Sequence, residues 1–145
     1  MSEKKRVGSY TIEEIMTEDV VTLTPNTTVR EAIRLFLEKN IAGAPIIDSA
    51  RKVVSIISEV DLMKFAAQGK MDLPMQQLLK NLVKADKVVT VNHRENFKDV
   101  FKKFLLNPVR RVLVVDSTGK LQGLVSRKNI LRTFMEVEEA EQKKK

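Results

Sequence analysis

Ser58 and Asp61 stand three residues apart, directly after the apolar run Val53–Ile57 and just before Leu62. A serine at such a corner caps a helix. The first helical turn presents unpaired N–H groups and the positive end of the dipole, which suit a phosphate. Asp61, one turn on, offers two acceptor oxygens, the complement of the paired hydroxyls of a ribose. The same spacing is that of a plain capping pair that binds nothing, and spacing alone leans towards the cap. Upstream, Ala42 and Gly43 are small enough for a flat ring to approach backbone N–H and C=O groups. Small residues there equally permit tight helix–strand packing. Ser126 and Asn129 repeat the corner, but asparagine accepts through one oxygen and carries no charge.

Few other groups could do chemistry. The chain has no cysteine and one histidine, which excludes a disulfide scaffold, a thiol nucleophile, a thiolate zinc site and a multi-histidine metal centre. His93 falls in a strand-to-helix loop and reads as a surface residue. No nucleophile–base pair, metal cluster or glycine-rich phosphate loop is present, so no enzyme, metal or required cofactor is expected. The start MSEKKRVGSY is basic with no apolar stretch after it, and no run of 18 apolar residues exists. No signal peptide or membrane span is therefore expected, and the expected location is cytoplasmic. With 145 residues, 43% hydrophobic, the chain can build a core without staples.

The elements that position these corners come in duplicate. Shifted by 68, Val20–Ala66 lies on Val88–Phe134 without a gap, with Asp48/Asp116 and Ser58/Ser126 among the identities. Each copy opens on a short β-branched run, Val20–Leu23 in the first, read as a strand. A capped helix follows, with an apolar stripe at Val29, Ala32, Ile33, Phe36 and Leu37, or at Phe97, Val100, Phe101, Phe104 and Leu105. Buried strands Ala44–Ile47 and Val112–Val115 then turn through Asp48–Arg51 and Asp116–Gly119 into Val53–Ile57 and Leu121–Val125. A helix starts at Ser58 and at Ser126. A short helix precedes each unit, Ile12–Met16 and Met75–Leu79, the second with Pro74 at a first helical position and in a register of 63. The expected fold is α/β (α+β), two β-α-β-β-α repeats packed with pseudo-two-fold symmetry. Residues 1–8 form a disordered N-terminus, 9–68 the first repeat, 69–74 a linker, 75–135 the second repeat and 136–145 a fraying charged helical tail.

The duplicated unit, IEEIM followed by VVTL, AGAPIID and SIISEVDL, and VVTV, RRVLVVD and GLVSRKNIL in the second copy, together resemble a tandem pair of cystathionine-β-synthase (CBS) domains, the Bateman module. The likeness covers about residues 10–135, with no other domain attached, so it is to a stand-alone pair. It implies a regulatory module, not an enzyme. Such pairs bind AMP, ADP, ATP or S-adenosylmethionine in clefts between the repeats, commonly dimerise into a disk, and signal to a partner protein whose identity the chain does not reveal. Carried onto this sequence, the first site comprises Thr17, Val21, Ala42, Gly43, Ser58 and Asp61. The second comprises Val89, Arg110, Arg111, Ser126, Arg127 and Asn129. By the same resemblance a basic pair before the second strand reaches phosphates, so Arg110, Arg111, Arg127 and Lys128 favour phosphate while Asn129 disfavours ribose. A solvent-facing basic edge is the plain alternative.

Two other classes compete. Residues 67–135 carry net charge +9 against −3 for residues 9–66, which suggests nucleic acid as a partner. Against it, no helix-turn-helix, zinc or RNA-binding signature is present, and the six phenylalanines fall on core-facing stripes. The third class is a structural dimerisation module with vestigial sites. A homodimer is expected, because Ile130, Leu131 and Phe134 beside Leu62, Met63 and Phe65 exceed what one small body hides. The charge split suggests that its copies pair head-to-tail.

Overall fold

The computed structural model describes residues 6–143, which form two compact units, Val20–Val88 and a second made of residues 6–19 and 89–143. In the unit Val20–Val88, helix α2 (Val29–Lys39) starts at Thr28, whose hydroxyl accepts from the Glu31 N–H while Glu31 reaches back to the Thr28 backbone. It follows α1 (Ile12–Ile15) of the other unit. Strands β1 (Gly43–Ile47) and β2 (Val53–Ser58) form an antiparallel hairpin that runs into α3 (Glu59–Ala67). The core is Leu23, Val29, Ala32, Phe36, Ile46, Ile57, Leu62 and Phe65, joined by Met75, Leu78 and Leu82 from beyond α3.

The other unit repeats the plan: β3 (Thr90–Asn92), α4 (Phe97–Leu106), β4 (Arg111–Val115), β5 (Leu121–Ser126) and α5 (Arg127–Gln142). Strand β3 runs parallel to β4, and β4 pairs antiparallel with β5. Its core holds Val91, Phe97, Val100, Val112, Val114, Val125 and Ile130, closed by Ile12 and Ile15 from α1. The two hairpins turn alike. Asp48 Oδ1 accepts from the N–H groups of Ala50 and Lys52, and Asp116 Oδ1 from those of Thr118 and Lys120. The Thr118 hydroxyl and then the Lys120 N–H hold the Asp116 carboxyl below its ordinary range.

Several expectations are corrected here. The run Val20–Leu23 is not a strand but a single parallel bridge, Leu23 to Ile46. In the second copy the ladder extends because Leu113 N–H donates to the Val89 carbonyl and His93 N–H to that of Val115. Pro45 and Pro25 occupy the two corresponding positions, and neither has an N–H to give. The expected helix Met75–Leu79 is instead two 3-10 turns, Met75–Gln77 and Leu79–Asn81, with Pro74 before the first helical residue. Leu37 and Leu105 do not join their stripes; they are 78% and 69% exposed. Of the residues expected as surplus apolar surface, Leu62, Phe65 and Ile130 are buried, whereas Met63, Leu131 and Phe134 are exposed. The expected disordered stretch 1–8 lies partly outside the described residues, and Val7–Ser9 forms a 3-10 turn. Of the tail expected to fray, α5 runs as helix to Gln142.

The compact units and the sequence repeats divide the chain differently. The segment before each repeat packs on the other one. The first two N–H groups of α2, orphaned by helix geometry, donate to the carbonyls of Leu73 at 3.1 Å and Met71 at 2.8 Å. The residues expected as a linker thus close a helix end, and Arg30 adds an ion pair to Asp72 at 3.1 Å. In the other unit Phe97 N–H, opening α4, donates to the Tyr10 carbonyl, and Thr11 bridges Asn96 just as Pro74 bridges Thr28. Thr17 then pairs with Leu124 through both backbone bonds, at 2.8 and 2.9 Å. Gly123 permits that approach: a Cβ there would stand 2.6 Å from Met16 Sδ and 2.9 Å from the Thr17 carbonyl oxygen. The exchange also redistributes charge. Among the described residues, 6–19 with 89–143 hold 12 basic and 11 acidic side chains, and residues 20–88 hold 10 and 7, so the units stand at +1 and +3. The contrast of −3 with +9 is a property of sequence halves, not of folded bodies, and it gives head-to-tail pairing no support.

Two stability measurements follow. Gly123→Ala is expected to lower the unfolding free energy by about 1–3 kcal/mol in chemical denaturation, because the Thr17 backbone cannot yield as Met16 can; an unchanged midpoint contradicts this packing. Arg51 sits at φ 63°, where the matching residue of the other hairpin is Gly119 at φ 87°. Arg51→Gly is expected to gain about 0.5–1 kcal/mol, the left-handed penalty less the entropy of glycine, and Gly119→Ala to lose a similar amount.

Candidate functional site

The first corner is built where the β1–β2 hairpin feeds α3. Gly43 pairs with Ser58 across the hairpin, and the Glu59 N–H donates to the Ala42 carbonyl at 3.0 Å. Ala42, Gly43, Ser58 and Asp61 are thereby held at one end of the sheet, the end where Val21 precedes the Leu23 bridge. Ser58 and Asp61 form a reciprocal cap. Asp61 Oδ2 accepts from the Ser58 N–H and hydroxyl, each at 2.9 Å, and Ser58 Oγ accepts from the Asp61 N–H at 3.2 Å. The capping reading is therefore correct as far as it goes. It uses one carboxylate oxygen, and Oδ1 has no hydrogen-bond partner among the described residues. Asp61 is half-buried, so a charged acceptor sits at the mouth of the corner rather than in open water.

The second corner has the same skeleton and different open groups. Arg111 pairs with Ser126, the Arg127 N–H donates to the Arg110 carbonyl at 3.3 Å, and Leu113 N–H holds the Val89 carbonyl. Asn129 Oδ1 accepts from the Ser126 N–H at 2.7 Å and its hydroxyl at 2.9 Å. The Ser126 N–H can only donate, so the amide orientation is decided by chemistry and the single oxygen of Asn129 is fully engaged in the cap. The Arg127 guanidinium bonds the Val109 carbonyl at 3.3 Å, while Arg110 and Lys128 are exposed.

All six residues expected at the second site lie in one compact unit. Of the six expected at the first, Thr17 does not: it belongs to the unit of β5, where its backbone pairs with Leu124. His93 lies in the turn after β3, half-buried, with Nδ1 3.5 Å from Glu13 Oε1. Sequence reasoning passed over Pro45 and Gly123. Pro45 stands where the second copy has Leu113 and cannot give Val21 the N–H that Leu113 gives Val89, and the gapless alignment Pro45/Leu113 carried that signal. Among the described residues no group of acidic or histidine side chains could hold a metal ion.

The family description "CBS domain" matches residues 12–68 and 79–136. In Arabidopsis thaliana the CBS domain-containing protein CBSX1, named as chloroplastic, is 32% identical over 162 residues, covering 94% of this chain and 69% of its own length. A 17.7 kDa protein of Acidianus ambivalens is 31% identical over 126 residues, covering 87% of this chain and 74% of its own. Among solved structures, CBSX2 in complex with AMP superposes with a TM-score of 0.73 at 26% identity, over 90% of this chain and 99% of that one. The CBS domain pair of protein MJ0100, in complex with 5′-methylthioadenosine and S-adenosyl-L-methionine, gives 0.70 at 26% identity, over 86% and 94%. Two matches that span most of the chain, on two hairpins feeding capped helices in the same register, place it: the chain belongs to the CBS domain family, as a tandem pair.

Proposed function

We propose that this CBS pair is a regulatory ligand-sensing module that binds an adenosine-containing ligand, an adenine nucleotide or S-adenosylmethionine, at the Ser58–Asp61 corner and passes the binding signal to a partner protein. The observation that carries the reading is the open Oδ1 of Asp61: the cap holds the carboxylate in place through Oδ2 and leaves one charged acceptor for ribose hydroxyls. Ala42 and Gly43 put little side chain in the way of a flat base. The AMP complex of CBSX2 and the methylthioadenosine and S-adenosylmethionine complex of the MJ0100 pair support the ligand class. A cytoplasmic location belongs to the same proposal. Among the described residues no helix is long and apolar enough to cross a membrane.

Self-association is the second reading, and it rests on a separate observation. Between α2 and α3 lies a cleft of about 220 Å³ lined by Ile33, Phe36, Leu37, Leu62, Met63 and Ala66, with Glu59 as its one charged residue. Leu37 and Met63 at its rim are 78% and 68% exposed, and apolar surface of this kind marks an interaction site. A second copy of the chain is the proposed occupant, so light scattering at micromolar concentration should return twice the chain mass. A monomer there rejects the dimer.

Calorimetry with AMP, ADP, ATP and S-adenosylmethionine tests the ligand. At 100 times its dissociation constant a bound ligand should raise stability by about 2.7 kcal/mol. A hydrogen bond to a charged acceptor is worth about 1.5–3 kcal/mol, so Asp61→Ala should weaken binding roughly 10- to 150-fold. Asp61→Asn keeps the cap, as Asn129 does, and should lose affinity without losing stability. Unchanged affinity in folded Asp61→Ala leaves Ser58 and Asp61 as a helix cap and nothing more.

A further inference from the structure

We infer that two copies of this chain meet through unlike faces, the α4–α5 face of one copy seating the ring of Phe134 in the α2–α3 cleft of the other. The inference rests on the self-association reading and adds which face meets which. It starts from the repeat. A shift of 68 lays the cleft residues Ile33, Met63 and Ala66 on Phe101, Leu131 and Phe134. Where α3 has a methyl group, α5 therefore has a ring. Phe134 stands edge-on to Phe97 at 5.5 Å and to Phe101 at 6.2 Å between ring centroids, so one side of it is fixed. The residue is nevertheless 43% exposed, and Leu131, one turn back, is 63% exposed. A ring held in this way has large apolar area to offer and little freedom left to lose on binding.

Like faces fit badly. Two α2–α3 faces laid together bring hollow to hollow, and a cleft of about 220 Å³ is left without partner atoms. Two α4–α5 faces bring ring to ring and cation to cation. The stretch Arg127–Met135, which matches α3, holds Arg127, Lys128 and Arg132 with no acid, net +3. Helix α3 holds Glu59 and Asp61 against Lys64, net −1, and Glu59 lines the cleft. Unlike faces remove both faults: the Phe134 ring fills the hollow that Ala66 leaves, and net −1 meets net +3. This is a head-to-tail pairing carried by the shape and sign of the helix faces, where the charge of the sequence halves carried none. A second copy is the occupant because the chain itself bears the complement of its own cleft.

The chain has no cysteine, so single substitutions make clean reporters. Met63→Cys marks the cleft and Leu131→Cys the opposing face; both positions are exposed and lie outside the cores. The full-length variants are treated with a short bis-maleimide at micromolar concentration, each alone and mixed. The mixture is expected to give a cross-linked product of twice the chain mass, and each variant alone to give none. Ala66→Phe puts a ring into the cleft, at a position where Phe134 shows that the fold accepts one. It should raise the dissociation constant of the pair roughly 30-fold; should it not fold, the cross-links decide alone. Cross-linking of either single variant to itself overturns the inference and leaves self-association standing. Twice the chain mass by light scattering with no cross-link in the mixture does the same, as does undiminished association of folded Ala66→Phe. A monomer rejects the self-association reading and this inference with it. None of these outcomes bears on the ligand reading, which calorimetry decides.

Discussion

Every α-helix of the described chain starts with the same device, a side chain at the cap and another three residues on that exchange hydrogen bonds with each other's backbone. Thr11 and Glu14, Thr28 and Glu31, Ser58 and Asp61, Asn96 and Asp99, and Ser126 and Asn129 all do so. The constraint behind it is elementary: a helix leaves its first N–H groups without intrahelical partners, and a side chain at the cap supplies the acceptor. What the candidate sites have to offer a ligand is what this device leaves over. An aspartate at the third position keeps an acceptor in reserve, and an asparagine keeps a donor. One atom of difference thus gives two corners of equal shape opposite chemistry.

The same requirement explains the exchange of segments. Helix α2 has two orphan N–H groups that its own cap does not reach, and the carbonyls of Met71 and Leu73 satisfy them. Helix α4 receives the equivalent service from Tyr10, a residue far upstream. Each compact unit is therefore completed by chain that the repeat pattern assigns elsewhere, together with the apolar residues that follow: Met75 and Leu78 in one unit, Ile12 and Ile15 in the other. A single repeat of about 60 residues lacks core for independent stability, and these borrowed residues are all fully or almost fully buried.

Proline sets the difference between the two sheets. The second copy threads a three-residue parallel strand onto its hairpin, and the first manages a single bridge, because Pro25 and Pro45 remove the N–H groups on either side of it. Val20–Thr22 is consequently free of the ladder that holds Val89 and Thr90, right beside the corner that carries Asp61. The two corners thus differ in backbone freedom as well as in charge.

Local rules made much of this protein legible from its residues. The duplication, the hairpins, the capped helices, the Asx turns at Asp48 and Asp116 and the Ser-x-x-Asp and Ser-x-x-Asn corners all depend on contacts within a few residues, and period and cap residues report such contacts directly. Three things were decided only by tertiary structure. Which unit each pre-repeat segment completes depends on which distant helix end needs carbonyls, and no spacing records that. The apparent acidic and basic halves dissolved once residues 6–19 were assigned to the body they pack on. The loss of the first strand required knowing that Pro45, just before the Ile46 that bridges Leu23, falls in the parallel pairing, a neighbour relation that exists in space before it can be read in the sequence. Leu37 and Leu105 sit outside the buried stripes for a similar reason: helical period says which residues share a face, and only packing says how wide a face is covered.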